Sequence, residues 1–268
     1  MVASFLRQHP AYRGEIRVLV RSDQMEADRR LPPVLRSRLR PVSNQLAETL
    51  TELGATFPSL RPRLPRFYSL EAFADESASR VLFGDSDLWF RGPINGFWET
   101  EGDLVACGER TTYTGESRGV DTHRVVPRSA ETEDEAKGGR LFNAGLMMIS
   151  PQVRGTAVFN DLVRKLGAIN WGNTELKHTD QHLLNQYFSG RVILADVRFN
   201  YLMKHHQLLT AATGVGPKDA RVLHFNGAGK PWTLERWPSS LRADSELTHA
   251  ALGWQKERLV DLAAEVMP

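Results

Sequence analysis

Short apolar runs and longer mixed segments take turns along the chain. Residues 15–20, EIRVLV, carry an aliphatic run and read as a strand. Residues 43–53 place apolar positions at helical spacing, and that helix is expected to stop at Gly54. The Pro-rich stretch FPSLRPRLPR, 57–66, reads as an extended connector. A helix is predicted over 67–78, with Phe67, Leu70 and Phe73 on one side. VLF (81–83), LVAC (104–107) and LFNAGLMMI (141–149) read as buried strands, the methionines of the last as core. Ser150 and Pro151 open a helix expected to reach about Gly167. A second helix covers 178–188, with Leu183, Leu184, Tyr187 and Phe188 facing inward. RVILAD (191–196) and RVLHF (221–225) read as strands, and the last twenty or so residues as an amphipathic helix. The segment 108–139 is polar, without period, and reads as a long loop. Strands alternating with helices predict an α/β fold with a mostly parallel sheet and helices on both faces. With no repeat and no linker, residues 1–268 read as a single domain.

Composition narrows this only slightly. The 268 residues are 41% hydrophobic and 25% charged, enough for one sizeable core. The formal charge of +2 names no partner, and without interleaved aromatic and basic residues nucleic acid is excluded. Residues 1–66 hold twelve Arg and no Lys against six acids, scattered as on a solvated face. Such an excess also suits phosphate or an anionic surface, so contact with a membrane periphery stays open. Cys107 is the sole cysteine, placed in the apolar run DLVAC as a small core residue. A chain without a disulfide framework fits a reducing cytoplasm. No apolar run has the length of a membrane span.

The candidate chemistry lies in RVLFGDSDLWFRG, 80–92, where a buried strand ends on Asp85 and Asp87. Ligands of open α/β sheets bind beyond the carboxyl ends of the strands. Two carboxylates one residue apart can share a divalent cation such as Mg²⁺ or Mn²⁺, whose remaining positions suit phosphate oxygens. Taken alone, the same three residues read as an acidic turn.

Four blocks together carry more: SLEAF…RVLFGDSDLWFRGPI (69–94), LFNAGLMMIS (141–150), TDQHLLNQYFSGRVILADVRFNYL (179–202) and RVLHFNGAGKPW (221–232). In this order they resemble family 8 glycosyltransferases, the retaining group of glycogenin and the bacterial lipopolysaccharide galactosyl- and glucosyltransferases. With the opening SFLRQHP…RGEIRVLV, the resemblance spans most of the chain. It implies a GT-A fold, a Rossmann-like domain that binds a UDP-sugar and Mn²⁺. By that resemblance Asp85 and Asp87 are metal ligands, with His224 as the third. The donor is expected against Asp85, Ser86, Asn143, Ala144, Gly227 and Lys230. Asp180 and Gln181 match the acidic-amide pair near the reacting sugar. Each has a plain structural alternative: His224 as a core histidine, Lys230 as a surface lysine, Asp180 as a carboxylate in a first helical turn.

The chain departs from the resemblance in three places. Ser69 stands where many relatives have Lys or Arg, and Arg66 is the expected substitute. His182 stands where some have a second Asp. The chain also begins inside the helix that follows the family's first strand. In a doubly wound sheet that strand is central. Its absence predicts two unpaired apolar edges, at 15–20 and 81–83, a truncated reading frame and weak binding of UDP. The alternatives are therefore an active metal-dependent transferase of glucose or galactose, a non-catalytic binder or inactive fragment with the same core, and, last, a metal-dependent phosphohydrolase. With no well-placed carboxylate nucleophile in the sequence, a front-face transfer is expected.

Overall fold

The computed structural model describes residues 1–21, 36, 38–115, 141–172, 179–227 and 229–266. Helix α1 (Val2–Gln8) precedes strands β1 (Val18–Val20) and β2 (Leu39–Pro41) and helix α2 (Asn44–Thr56). Strands β3 (Val81–Gly84) and β4 (Leu88–Phe90) flank the two aspartates. Next come α3 (Asn95–Trp98), β5 (Leu104–Gly108), α4 (Arg110–Thr114) and β6 (Phe142–Ile149). Then follow α5 (Thr156–Ala168), α6 (Thr179–Tyr187), β7 (Val192–Ala195) and β8 (Tyr201–Leu202). The chain ends with α7 (His206–Thr213), β9 (Val222–His224), α8 (Ser239–Arg242) and α9 (Ser245–Val266).

The strands form a pair β1-β2, a sheet in the order β3-β6-β5-β7, and a small sheet β4-β9-β8. The architecture is α/β as expected, but the sheet is mixed rather than mostly parallel. β6 runs antiparallel to both β3 and β5, and only β5 and β7 are parallel in that sheet. Antiparallel neighbours need no crossover helix, so the alternation of strands and helices along the sequence does not reveal strand direction here. All eight residues of β6 are buried. Met147 and Ile149 pack with Leu46, Phe67 and Leu184 on one face. Leu146 and Met148 pack with Phe5, Phe90 and Phe97 on the other. Burial on both faces explains why this strand reads as a continuous apolar run. A third cluster, including Trp89, Tyr201, Leu223 and Ala251, lies beneath α9.

Several element readings change, and α2 does not stop at Gly54 but runs on to Thr56. The stretch 57–66 is not extended: helical turns of the 3₁₀ type run from Pro58 to Phe73. Pro62 and Pro65 inside it lack the N–H that an α-helical ladder needs. Phe67, Leu70 and Phe73, spaced by three, fall on one face at three residues per turn, and all are fully buried. Helix α5 starts later than its Ser-Pro signal. A single 3₁₀ turn, Pro151–Val153, precedes it, and Gly155 at φ 118° separates the two. Of the loop reading at 108–139, residues 110–114 instead form α4, and 116–139 lie outside the described residues.

Among the described residues, β1 pairs only with β2, and β3 only with β6. A cavity of about 780 Å³ opens between these two edges, lined by Leu19, Leu82, Phe83 and the start of α1. Arg66, Ser69, Asp85 and Ser86 line it as well, so it reaches the aspartates. No helix among the described residues is long and apolar enough to cross a membrane.

Candidate active site

Backbone pairing places the acidic turn. Asp85 N–H donates to the Gly145 carbonyl at 2.8 Å, and Phe225 N–H donates to the Asp87 carbonyl at 3.1 Å. The turn is thereby pinned between β6 and β9. In the β4–β9 ladder Leu88 is the direct partner of His224. That register brings a histidine 137 residues away beside Asp87. Nε2 of His224 lies 3.2 Å from Asp87 Oδ1 and 3.6 Å from Asp85 Oδ2. The three residues each offer a ligand atom within 4.8 Å of the others.

Asp87 Oδ1 is buried and has no hydrogen-bond partner. A buried carboxylate oxygen without a partner is costly. Its other oxygen is taken by Lys230 Nζ, which also donates to the Phe225 carbonyl at 2.7 Å. The unpartnered oxygen, a histidine nitrogen and a second carboxylate make a mixed N/O set able to hold a divalent cation. These residues fit a divalent cation.

Residues 61–235 match the sequence model described as glycosyl transferase family 8. This chain belongs to glycosyltransferase family 8. No functionally curated protein matches it. Two crystal structures of LgtC share its fold. One is an active-site mutant, 20% identical, with a TM-score of 0.53 over 93% of this chain and 89% of that one. The other is the galactosyltransferase LgtC with donor and acceptor sugar analogs, 19% identical, with a TM-score of 0.52 over 94% and 89%. GlyE of Streptococcus pneumoniae TIGR4, an apo-form glycosyltransferase, is 14% identical, with a TM-score of 0.50 over 96% of this chain and 60% of that one. These likenesses identify the fold as GT-A.

Of the other expected residues, Lys230 bonds to the turn, Asn143 and Gln181 reach it through Asn200 and His224, and Asp180 acts on Asp85 by its charge. Asn143 is the second residue of β6, with Ala144 buried beside it. Gly227 has φ 90°, and a Cβ there would lie 2.8 Å from Lys204. Asp180 is buried in the first turn of α6. Ser69 Oγ donates to one of its oxygens at 2.9 Å and Thr179 Oγ1 to the other at 3.0 Å. Ser69 therefore answers Asp180 with a hydrogen bond in place of a charge, while Arg66 stands exposed at the cavity rim. Gln181 Oε1 accepts from Asn143 Nδ2 at 3.1 Å. The ring of His182 stands edge-on to Trp171, 6.4 Å away.

Two residues were not singled out in the sequence. Glu109 Oε2 accepts from Asn143 Nδ2 at 3.0 Å and from Gln181 Nε2 at 3.1 Å. It follows β5 as Asp85 follows β3, so its place at a strand's carboxyl end was a usable signal. Asn200 is fully buried and lies between His224 and Asn143. Its signal was an amide inside the apolar run RFNYL, since buried amides must find partners.

The Asp85 side chain is 43% exposed at the cavity wall, so desolvation there is partial; with the negative charges of Asp87 and Asp180 it pushes the carboxyl up, against His224, to about 7 at most. Burial acts the same way on Asp87, but His224 and Lys230 outweigh it and hold that carboxyl below its ordinary range. Burial would lower His224, and Asp87 and Asp85 instead raise it. Asp180 is raised by burial, against hydrogen bonds from Ser69, Thr179 and the Gln181 backbone. Cys107 is wholly buried, its thiol donates to the Asp196 carbonyl, and burial raises its pKa, so it is inert core.

Proposed function

We propose that this glycosyltransferase moves a hexose, glucose or galactose, from a UDP-sugar to an acceptor hydroxyl with retention of anomeric configuration. Asp85, Asp87 and His224 would hold Mn²⁺ or Mg²⁺. The observation that carries the reading is the unpartnered, buried Asp87 oxygen facing His224 Nε2 in a set of three ligand groups. A divalent cation bound there neutralises charge that builds on the leaving diphosphate. Lys230, already drawn to Asp87, adds a positive charge beside the same group. The left-handed turn at Gly227 would allow close backbone approach, and Arg66 and Ser86, which line the cavity, would face the diphosphate.

Asn143, Ala144 and Gln181 would bind and orient the sugar. The arrangement speaks against a covalent route. The Gln181 amide donates to Glu109 and accepts from Asn143, so neither end is free. Both Asp180 oxygens are held by hydroxyl groups in a buried site. The acceptor oxygen therefore bonds to the anomeric carbon on the face from which the diphosphate leaves. The bond pair of the broken C–O bond stays with UDP, and the acceptor's proton passes to the departing phosphate oxygen. A sugar trapped covalently on Asp180 would refute this route. The acceptor side remains open to glycan, lipid or protein hydroxyls.

Calorimetry of UDP binding with and without Mn²⁺ tests the donor site. Binding that needs Mn²⁺ and vanishes in Asp87→Ala is expected. Cation-independent binding, or binding untouched by the substitution, overturns the assignment. Release of UDP from UDP-glucose or UDP-galactose in the same samples separates a transferase from a protein that only holds the nucleotide sugar.

A further inference from the structure

Polar side chains run without interruption from His224 to Gln181, and one backbone group sets the direction of every bond among them. The Gly145 N–H can only donate, and it lies 3.0 Å from Asn143 Oδ1. That oxygen is also 3.0 Å from the Asn200 amide, which must therefore present Nδ2 to it. The remaining end of the Asn200 amide, Oδ1, faces His224 Nδ1 at 2.9 Å. An oxygen there accepts, so Nδ1 carries the hydrogen. The bare nitrogen of the neutral ring is then Nε2, the one turned to Asp85 and Asp87. At its other end the Asn143 amide donates to Glu109 and Gln181. Reversing that amide would turn its oxygen toward the Glu109 carboxylate and leave the Gly145 N–H without an acceptor. Asn200 has no exposed surface, and His224 is 4% exposed, so water does not substitute for these bonds.

We propose that Asn200 is a positioning residue that locks His224 in the tautomer able to bind a cation and ties that ligand to the carboxamides of Asn143 and Gln181. The inference rests on the cation reading above and extends it to a residue that touches neither cation nor donor. Outer partners of a ligating histidine fix its ring and tautomer, and their loss typically weakens metal binding about 10- to 100-fold.

The test measures Mn²⁺ affinity by electron paramagnetic resonance in saturating UDP, at one pH, with thermal melts of each protein. Asn200→Leu is expected to bind Mn²⁺ about 10- to 100-fold more weakly. Asn200→Asp keeps an oxygen for His224 Nδ1–H and is expected to recover affinity to within a few-fold of the wild type. A purely structural role would not be rescued in this way. Equal Mn²⁺ affinity in wild type and Asn200→Leu overturns the inference. So does equal impairment of both variants when both melt like the wild type. If Asn200→Leu fails to fold, Asn143→Ala carries the test, because it removes the acceptor that orients the Asn200 amide. Several-fold weaker Mn²⁺ binding is then expected, and unchanged binding overturns the inference. A wild type that takes up no Mn²⁺, like Asp87→Ala, overturns the cation reading and this inference together. A wild type that binds while the Asn200 variants are unaffected overturns the inference alone.

Discussion

His224 sits against the bare Cα of Gly145. A Cβ added there would lie 2.3 Å from His224 Cε1 and 2.8 Å from its Nδ1. No rotation relieves this, because the ring is held between Asn200 and the two aspartates. Gly145→Ala is expected to push the ring out of the site, weaken Mn²⁺-dependent UDP binding, and destabilise the fold by about 1–3 kcal/mol of overpacking. Calorimetry and a denaturant melt would check both effects. Asp85 gives the pH prediction. Its carboxyl rises from an ordinary 3.8 to about 7, so the folded protein binds more protons than the unfolded chain between those values. Its contribution to cation-free stability therefore falls as pH rises from about 4 to about 7. Asp87, held low, acts oppositely: its stabilisation is present above the ordinary carboxylate range and is lost as pH falls below it. Asp85→Asn is expected to remove the first slope and leave the second. A cation must displace the protons held by both Asp85 and His224, so Mn²⁺ affinity is expected to climb as pH rises from 5 to 7. A flat titration from pH 5 to 7 would contradict this.

Among the elements, α5 shows how a boundary is set from outside its own segment. Ser150 and Pro151 carry the usual start signals, yet the helix begins at Thr156. Gly155, at φ 118°, turns the chain, and its N–H donates to the Phe73 carbonyl at 2.8 Å. The carboxylate of Glu76, 80 residues upstream, accepts from the Thr156 N–H at 2.6 Å and caps the helix. A side chain at 155 would be strained by the backbone and crowded by Glu76, 3.0 Å from its Cβ. Gly155→Ala is expected to cost about 1–3 kcal/mol with no change in Mn²⁺ affinity of the folded protein. Loss of Mn²⁺ affinity at full folding would show that α5 reaches the site. The 3₁₀ run from Pro58 to Phe73 makes the complementary point. Its three-residue apolar spacing was visible in the sequence, but read against the α-helical period it suggested the wrong helix.

Across the whole molecule, the site draws on positions from Arg66 to Lys230 and on three strand ends. The Asp85–Asp87 pair, Asn143 and His224 come together only when both β6 and β9 are paired. Ligands should therefore stabilise the fold globally. At 100 times its Kd, UDP with Mn²⁺ adds about 2.7 kcal/mol, which for a chain of this size raises Tm by roughly 5–10 °C. Asp87→Ala should melt at the same temperature with and without the ligands, and a retained shift would place UDP elsewhere. The cavity between β1 and β3 adjoins this site through Ser69, Asp85 and Ser86, so a donor held as proposed would share a wall with that sheet edge.

The types of the elements, the buried strand FNAGLMMI, the Asp85–Asp87 pair and the family were legible in the sequence. Local spacing and motif order carry that information, and burial on both faces leaves its own continuous apolar mark. Strand direction, the 3₁₀ run and the partners of each side chain were decided by the tertiary structure. The β4–β9 register pairs Leu88 with His224, and no local pattern encodes a partner 136 residues away. Glu109 and Asn200 bond to side chains brought to them by other elements, β6, α6 and β9. Their roles exist as hydrogen bonds across the sheet, and such bonds form only when the chain has folded.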